Sequence, residues 1–197
     1  HEVKPKPEGV DWTRLPCGVV TLAETDGGDI VAPELYAEMV KEVSERLALF
    51  KQRLAERECL EKRFHLLGTS GTVTTIAGVH LGLKRYDRSK VDGAWVGLTD
   101  VAEVTKTLLG MTLSERAAHS CVGQERADLV LAGCAILEAI AAAWPAERLR
   151  VADRGLREGI LFSLMEADQT RGKGGRRRRR RRRRKAKTDQ TASPSEG

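Results

Sequence analysis

The sequence contains few aromatic residues, four widely separated cysteines and no long apolar run. Because no two cysteines form a C-x-x-C pair, we expect neither a metal site nor a disulfide framework, and buried reduced thiols are the default. No window holds 18 consecutive apolar residues, and no signal-peptide pattern is present. These absences argue against membrane insertion and secretion, and they predict a cytoplasmic protein that has no membrane partner.

Acidic residues are missing from residues 171–187, which carry 13 basic side chains. Residues 1–170 carry 21 basic and 26 acidic side chains, so their net charge is −5 although the whole chain has +6. A segment with almost no apolar residues cannot bury a core, and disorder is expected from residue 169 onward. We therefore divide the chain into a lead-in (1–16), a folded domain (17–168) and a disordered, arginine-rich tail (169–197).

Nine consecutive arginines, from Arg176 through Arg180 to Arg184, form the centre of this tail. Such a run can bind polyanions, including nucleic acid without sequence preference, with an affinity that falls steeply as salt rises. The alternative is a low-complexity extension with no selected role. Composition alone leaves both interpretations open.

The folded part contains a glycine-rich turn whose backbone is suited to binding anions. An apolar run, Phe64 to Leu67, precedes the turn and a run with helical spacing follows it, so we predict a strand, a tight turn and a helix start. The candidate phosphate-binding residues are Gly68, Thr69, Ser70, Gly71 and Thr72. Glycines allow close approach of a ligand, the first amides of a helix lack partners, and hydroxyls add uncharged donors. The alternative is a capped turn in which Ser70 or Thr72 satisfies the helix amides and nothing binds.

A second strand, turn and helix are predicted near the end of the folded part. Residues 148–151 alternate between charged and apolar side chains as a short strand does, and a helix with its apolar side chains turned inward is expected from Leu156 to Met165. Ligands of open α/β sheets bind at such carboxyl ends of strands. The charged candidates here are Asp153, Arg154, Arg157 and Glu158. They could form structural ion pairs or face a ligand, and the sequence does not decide between these roles.

The remaining elements follow from apolar spacing and capping signals. We predict a strand over Cys17–Glu24 and a helix of about five turns from Pro33 to Leu54. Capping boxes predict two further helices that begin after Asp100 and Thr112. An apolar-rich segment, Glu125–Trp144, predicts a core helix.

Two charged segments are open to a structural or a functional interpretation. Leu83–Asp92 is either a surface loop or a positively charged edge beside a phosphate site. Arg126 and Asp128, at the start of the core helix, are either ion-pair partners or residues that face a site, and we favour the structural role.

Several segments, taken in order, resemble those of the Ppx/GppA phosphatases, which are exopolyphosphatases and guanosine pentaphosphate phosphohydrolases. The segments that carry the resemblance are Leu15–Glu24, Gly68–Thr75, Gly82–Asp87, Gly123–Asp128 and Asp153–Gly159. Together they span roughly residues 12–166 and exclude the arginine tail. The resemblance implies an α/β fold of the ribonuclease H-like, actin-like ATPase superfamily, in which two such domains enclose the active site. This chain resembles the second domain with its N-terminal strands missing.

The resemblance implies hydrolysis of terminal phosphoanhydride bonds in polyphosphate or guanosine pentaphosphate, with magnesium in the full-length enzyme. The family's first phosphate loop, its catalytic glutamate and the phosphate loop expected just before residue 1 have no counterpart here. The chain begins with His1 rather than methionine, and we expect a fragment or a processed piece. We therefore assign no catalytic residue and no metal ligand, and we predict that the chain alone binds no magnesium and has at most trace activity.

The same resemblance implies that Gly68–Thr72 contact phosphate or ribose and that Asp153–Gly159 lie at a domain interface. Loss of the first strands would leave Gly18–Glu24 as an exposed sheet edge. A partner is therefore expected, either the missing N-terminal half or a second copy of the chain. The alternative function is a non-catalytic module that binds polyphosphate or RNA through its arginine tail.

Overall fold

A computed structural model describes residue 9 and residues 11–24, 30–57, 64–155 and 157–165. The chain divides into two compact units, one that ends at Asp153 and one that begins at Arg154. The tail arginines Arg176, Arg180 and Arg184 lie outside the described residues. None of the described helices combines the length and apolar character that crossing a membrane requires.

The first unit is a mixture of helices and strands. In chain order its elements are α1 (Val19–Ala23), α2 (Pro33–Glu56), β1 (Leu66–Gly68), α3 (Gly71–His80), α4 (Arg88–Val91), β2 (Trp95–Gly97), α5 (Leu98–Leu109), α6 (Leu113–Ala118), α7 (Val130–Ala143) and β3 (Arg148–Val151). The α/β class predicted from the sequence is confirmed at this level.

The three strands form one small mixed sheet with β3 at its centre. β1 pairs with β3 in parallel, and β2 pairs with β3 antiparallel. One face of the sheet is buried, since Val96, Leu149 and Val151 are each at most 2% exposed. The alternate residues face the opposite way and remain exposed, which is the period-2 pattern of a sheet covered on one side.

Helices α2 and α7 pack along each other and supply much of the core. The buried residues of α2 recur at three- and four-residue spacing, as an amphipathic helix requires, and they are Tyr36, Met39, Val43 and Leu47. Helix α7 is apolar on most sides because α1, α2, α3 and α5 all contact it. The Tyr36 hydroxyl donates a hydrogen bond of 2.8 Å to Oε2 of Glu138 on α7, which ties the two helices together.

The three cysteines within the described residues, Cys17, Cys121 and Cys134, are free thiols. Cys121 and Cys134 are buried, whereas Cys17 is half-buried. Burial raises the pKa of Cys134 to about 11. This thiol therefore stays protonated near neutral pH and acts as a small core side chain.

One charged side chain is buried in the core. Arg116 on α6 is 2% exposed, and its guanidinium binds backbone rather than a carboxylate. Nε donates to the carbonyl oxygen of Ala127 at 2.9 Å, and Nη1 donates to that of Met111 at 2.6 Å. Arg116 thereby fixes the position of the segment that leads into α7.

The predicted strand over Cys17–Glu24 is wrong, because Val19–Ala23 form the short helix α1. The Thr21 hydroxyl accepts from the Gly18 amide and donates to the Gly18 carbonyl, which favours a helical start. The helix places Leu22 in the core at 2% exposure, against α7. The exposed sheet edge inferred for Gly18–Glu24 is therefore wrong as well.

Several other elements differ from the predicted ones. Strand β2 was not predicted, although Trp95–Gly97 pair with β3 along their whole length. Asp100 is not the residue before a helix: α5 begins at Leu98, and the Asp100 carboxylate accepts from the amide of Gly97 one turn back. Helix α7 begins at Val130 rather than near Glu125, because residues 124–129 form turns.

Two of the helix starts predicted from the sequence, those of α2 and α6, are confirmed. Helix α2 carries Pro33 at its first position, where the missing amide proton is not needed. Helix α6 has Thr112 as its capping residue, with Glu115 accepting in return from the Thr112 amide at 2.8 Å. Strand β3 falls where the sequence predicted it, and β1 overlaps the predicted run Phe64–Leu67 but extends to Gly68, which was expected in the turn.

In the second unit, residues 157–165 are helical, as predicted. Its apolar side chains do not turn inward, however, since Ile160, Leu161 and Leu164 are 51%, 59% and 59% exposed. Within this unit the Gly155 amide donates to Oε2 of Glu158 at 2.9 Å.

Candidate functional site

The turn after β1 and the end of β3 lie at one edge of the sheet. β1 and β3 run parallel, with Gly68 opposite Val151, so both strands end at the same edge. The Ala152 amide donates to the Gly68 carbonyl at 2.9 Å and holds the two strand ends together. This is the edge at which ligands of α/β sheets bind.

The first turn leads directly from β1 into α3. Ser70 is the capping residue, and its Oγ accepts from the Val73 amide at 3.2 Å. The Thr74 amide donates to the Ser70 carbonyl, which is the first bond of the helix. The amides of Gly71 and Thr72, at the first two helical positions, have no carbonyl one turn earlier to bind. The capped turn of the alternative interpretation is therefore present, and it uses only one of the first-turn amides.

The three hydroxyls of the turn have different surroundings. Thr69 and Ser70 are exposed, whereas Thr72 is half-buried. The Thr72 side chain packs against Gly133 of α7, and a methyl group added to Gly133 would collide with it. Thr69 and Ser70 are therefore accessible to a ligand, while the Thr72 side chain joins α3 to α7.

The two glycines of the turn meet different neighbours. A methyl group on Gly68 would lie 2.8 Å from both γ carbons of Val73, so Gly68 permits close packing of strand and helix. A methyl group on Gly71 would lie 3.5 Å from Cζ of Arg126, an ordinary contact distance. Gly71 is exposed and faces a guanidinium.

Arg126 brings a positive charge to the start of α3. Its Nη1 donates to Oγ1 of Thr75 at 3.4 Å, and no carboxylate of the described residues pairs with it. Within the described residues neither Arg126 nor Asp128 forms an ion pair; Arg126 contacts Thr75 instead, and its role toward a ligand stays a prediction. Backbone amides, the positive end of the α3 dipole and a guanidinium converge here, which is an arrangement suited to an oxyanion.

The carboxylate at the end of β3 is already bound. Arg88 donates from Nε to Oδ2 of Asp153 at 2.8 Å and from Nη2 to the Asp153 carbonyl at 2.7 Å. The Asp153 amide in turn donates to Oδ1 of Asp92 at 3.0 Å. Within Leu83–Asp92, Arg88 thus closes a structural ion pair rather than contributing free positive charge.

Tyr86 lies between the helix start and the end of β3. Burial raises the pKa of its hydroxyl, and the neighbouring Asp153 carboxylate raises it further, while Thr74 and Arg126 act in the opposite direction. The hydroxyl therefore remains a proton donor near neutral pH. The Thr74 hydroxyl donates to the Gly71 carbonyl at 2.9 Å. Thr74 therefore connects Tyr86 to the glycine turn.

The other charged candidates lie in the second unit. Arg154 and Arg157 are exposed, and the Glu158 carboxylate accepts a hydrogen bond from the Gly155 amide. Their role at a domain interface, like that of Asp153, remains a prediction.

The described residues contain no group of three His, Cys, Asp or Glu side chains that could hold a metal ion. Asp92 and Asp153, the acidic pair at the strand ends, are engaged with an amide and with Arg88. These residues do not fit a magnesium centre of their own, so we derive no step through a metal.

Comparison with known proteins settles the family. A model described as the Ppx/GppA phosphatase family matches residues 9–168. The chain belongs to the Ppx/GppA phosphatase family. Exopolyphosphatase 2 of Mycobacterium tuberculosis is 30% identical over 132 residues, which cover 64% of this chain and 41% of that protein.

Solved structures of the family have the same fold. An Aquifex aeolicus Ppx/GppA family member matches with a TM-score of 0.67 and 26% identity, over 78% of this chain and 48% of that one. An exopolyphosphatase from Cytophaga hutchinsonii matches in fold with a TM-score of 0.60 at 21% identity, over 71% of this chain and 44% of that one. The mixed α/β structure and its small sheet fit an actin-like, ribonuclease H-like fold. The chain spans less than half the length of these relatives.

The sequence did not single out Tyr86 or Arg116 as residues of the site region, and it left Arg126 between a structural role and a role facing a site. All three are positioned by turns and by α6, which no apolar periodicity reveals. Arg126 and Tyr86 do lie within segments that carry the family resemblance, and this was the available signal.

Proposed function

We propose that this chain is the phosphate-contacting portion of a Ppx/GppA phosphohydrolase that cleaves terminal phosphoanhydride bonds. The observation that carries the proposal is the Arg126 guanidinium beside Gly71, at the start of α3. The substrate class is a linear chain of phosphates, either inorganic polyphosphate or the chain of guanosine pentaphosphate. Both present the same oxyanions to the turn, and the name of the M. tuberculosis relative favours polyphosphate.

The turn suits phosphate because its donors are prearranged. The amides of Gly71 and Thr72 are held by the helix, and the exposed hydroxyls of Thr69 and Ser70 can turn toward a bound oxygen. Arg126 adds a charge-assisted hydrogen bond, which contributes about 1.5–3 kcal/mol. Gly68 keeps strand and helix close enough for these donors to converge.

The same site lacks a group that could activate water. A general base must come within hydrogen-bond reach of the attacking water and must be free to accept its proton. Asp153 is bound by Arg88, which lowers its availability for this role. We infer that the base, and the magnesium expected in full-length family members, belong to the other half of the enzyme. In this proposal residues 17–168 form the second domain of such an enzyme, the domain interface includes Asp153, Arg154, Arg157 and Glu158, and the location is cytoplasmic.

Binding is tested by titrating the full chain with inorganic tripolyphosphate. Arg126→Gln should weaken binding by at least about tenfold, since a loss of about 1.5–3 kcal/mol exceeds the roughly 1.4 kcal/mol that corresponds to that factor. The matched control is Arg46→Gln, which removes one exposed arginine from α2. Amide chemical shifts of Gly71 and Thr72 should move on titration in the parent chain. Equal affinities for the two variants, or unmoved amides, would refute phosphate binding at this turn.

Activity is tested separately. With magnesium and polyphosphate, the purified chain should release no more than trace phosphate, and addition of a separately expressed N-terminal half of a family member should restore release. Arg126→Gln should reduce the restored rate, and Arg46→Gln should not. Substantial release by the chain alone would contradict the assignment of the base to the missing half.

A second candidate function rests on the nine arginines of the tail. Here the chain would be a non-catalytic module that grips polyphosphate or RNA. Deletion of residues 171–187 discriminates the two: polyanion affinity should collapse under this alternative, whereas restored activity should persist if the chain is half of an enzyme.

A further inference from the structure

The exposed face of the sheet carries a cluster of aromatic and cationic side chains. We call it the outer sheet face, and its members are His65, Leu67, Trp95, Arg148 and Arg150. All five are exposed, and they project from the side opposite the buried residues of the strands. Leu67 and Trp95 lie on either side of Arg150 in the strand register, so one row crosses the whole sheet.

The side chains of this face contact one another. Cζ of Arg148 lies 4.2 Å from the centre of the Trp95 ring, and Cζ of Arg150 lies 5.2 Å from it. The His65 ring meets the Trp95 ring edge-on, with centroids 4.9 Å apart and planes at 71°. Cation–π contact therefore holds the two guanidiniums against Trp95, and the edge-on contact holds the His65 ring beside them.

Neither arginine of the outer sheet face has a carboxylate partner within the part of the chain that the structure describes. Residues 1–170 nevertheless carry a net charge of −5, so partners of opposite sign were abundant in the sequence. Two unpaired arginines on an acidic domain form a local site for a negatively charged ligand.

The ligand must also suit the apolar part of the face. Trp95 is 36% exposed, Leu67 62% and the neighbouring Phe64 38%. A bare phosphate chain would use the guanidiniums and leave these groups in water. Single-stranded nucleic acid combines phosphates with planar bases, and sheet surfaces bind it by stacking bases on aromatic side chains beside basic residues.

We propose that the outer sheet face binds single-stranded nucleic acid. Arg148 and Arg150 bind the phosphates, and a base stacks on the exposed ring of His65, which Trp95 holds by its edge-on contact. This site is distinct from the phosphate turn, because Arg126 and Gly71 belong to the loop and helix at the strand ends. It is also distinct from the arginine tail, whose binding needs no aromatic residue.

The test uses the full chain and a fluorescently labelled oligouridylate of about ten nucleotides, a length typical of such sites. The double variant Arg148→Gln with Arg150→Gln should bind at least tenfold more weakly than the control Arg46→Gln with Arg53→Gln. Both proteins lose two arginines and keep the same tail. The slope of log affinity against log salt should also become shallower by about 1.4 in the outer-face variant relative to the control, since each phosphate contact of a single strand contributes about 0.7. Circular dichroism establishes that both variants fold.

Two further measurements isolate the bases. An abasic oligonucleotide of equal length should bind the parent chain about tenfold more weakly, because base stacking contributes about 1–3 kcal/mol per base. Photocross-linking with 5-iodouridine should label the peptides that contain His65 or Trp95. The proposal would be overturned if the parent chain bound the abasic strand or polyphosphate as tightly as the oligouridylate. It would also be overturned if cross-links were confined to the tail, or if the two double variants bound the oligouridylate equally well.

Discussion

Replacement of Arg116 by methionine tests how the candidate site is supported. Arg116 is buried, and its guanidinium holds two backbone carbonyls, those of Ala127 and Met111. Ala127 directly follows Arg126, whose own guanidinium lies at the phosphate turn. Methionine has a similar length and fills the volume, so the substitution removes the hydrogen bonds with little loss of packing.

The magnitude follows from the two hydrogen bonds. Each bond from a charged donor contributes about 1.5–3 kcal/mol, and each carbonyl left buried without a donor adds a penalty. Removal of the charge itself relieves the unfavourable desolvation of a buried cation. We therefore expect a net loss of about 3 kcal/mol in the free energy of unfolding, below the simple sum. For a chain of this size, that corresponds to about 6–12 °C in Tm.

The assay is thermal unfolding followed by circular dichroism, combined with titration of inorganic tripolyphosphate below the transition. Arg53→Met, on the exposed side of α2, is the matched control and should change Tm by no more than about 2 °C. Arg116→Met should also weaken tripolyphosphate binding, because the segment that carries Arg126 loses its anchor. If Arg116→Met has the same Tm as the control, the two hydrogen bonds do not hold this segment and the reasoning is refuted.

Three smaller predictions concern the turn and the helix pair. Gly68→Ala should destabilise the chain by about 1–3 kcal/mol in a denaturant titration, because the new methyl group would press on buried Val73; an unchanged midpoint would contradict this. Ser70→Ala should lower the stability of the chain by about 1 kcal/mol through loss of the α3 cap, whereas Ser70→Asn should retain most of it. Burial, reinforced by Glu138, raises the pKa of the Tyr36 hydroxyl above its ordinary value of about 10, so the stability it contributes is complete below about pH 10 and is lost as pH rises further. Tyr36→Phe should flatten this alkaline fall in Tm, and an identical pH profile for the two proteins would argue against it.

The sequence predicted those elements whose signals are local. Pro33 and the apolar stripe of α2 mark a helix by themselves, and the Thr112 cap of α6 is a contact between residues three apart. The turn from β1 into α3 was predicted for the same reason, since glycine, hydroxyl and helical spacing occur within a few residues. Each of these features is decided before any long-range contact forms.

The elements that were mispredicted depend on their surroundings. The β-branched residues of α1 favour a strand locally, but the described sheet provides no neighbour there, and Leu22 is buried on α7 as part of a helix instead. Strand β2 has only three residues, and it exists because it pairs with β3. The position of Arg126 could not be predicted because it depends on Arg116, a residue ten positions earlier, and on the packing of α7.

This dependence also indicates which activity should survive in the isolated chain. The groups proposed to bind phosphate, which are the α3 amides and Arg126, are held by β1, α6 and α7, all within the first unit. Phosphate binding should therefore be retained without a partner. Hydrolysis needs a free base and a positioned water, and the acid at the same edge, Asp153, is held by Arg88. Arg88→Gln would free this carboxylate. If phosphate release by the chain alone then rose, the base would lie in this chain after all. We expect no such rise, because a free carboxylate beside the phosphate turn would repel the substrate.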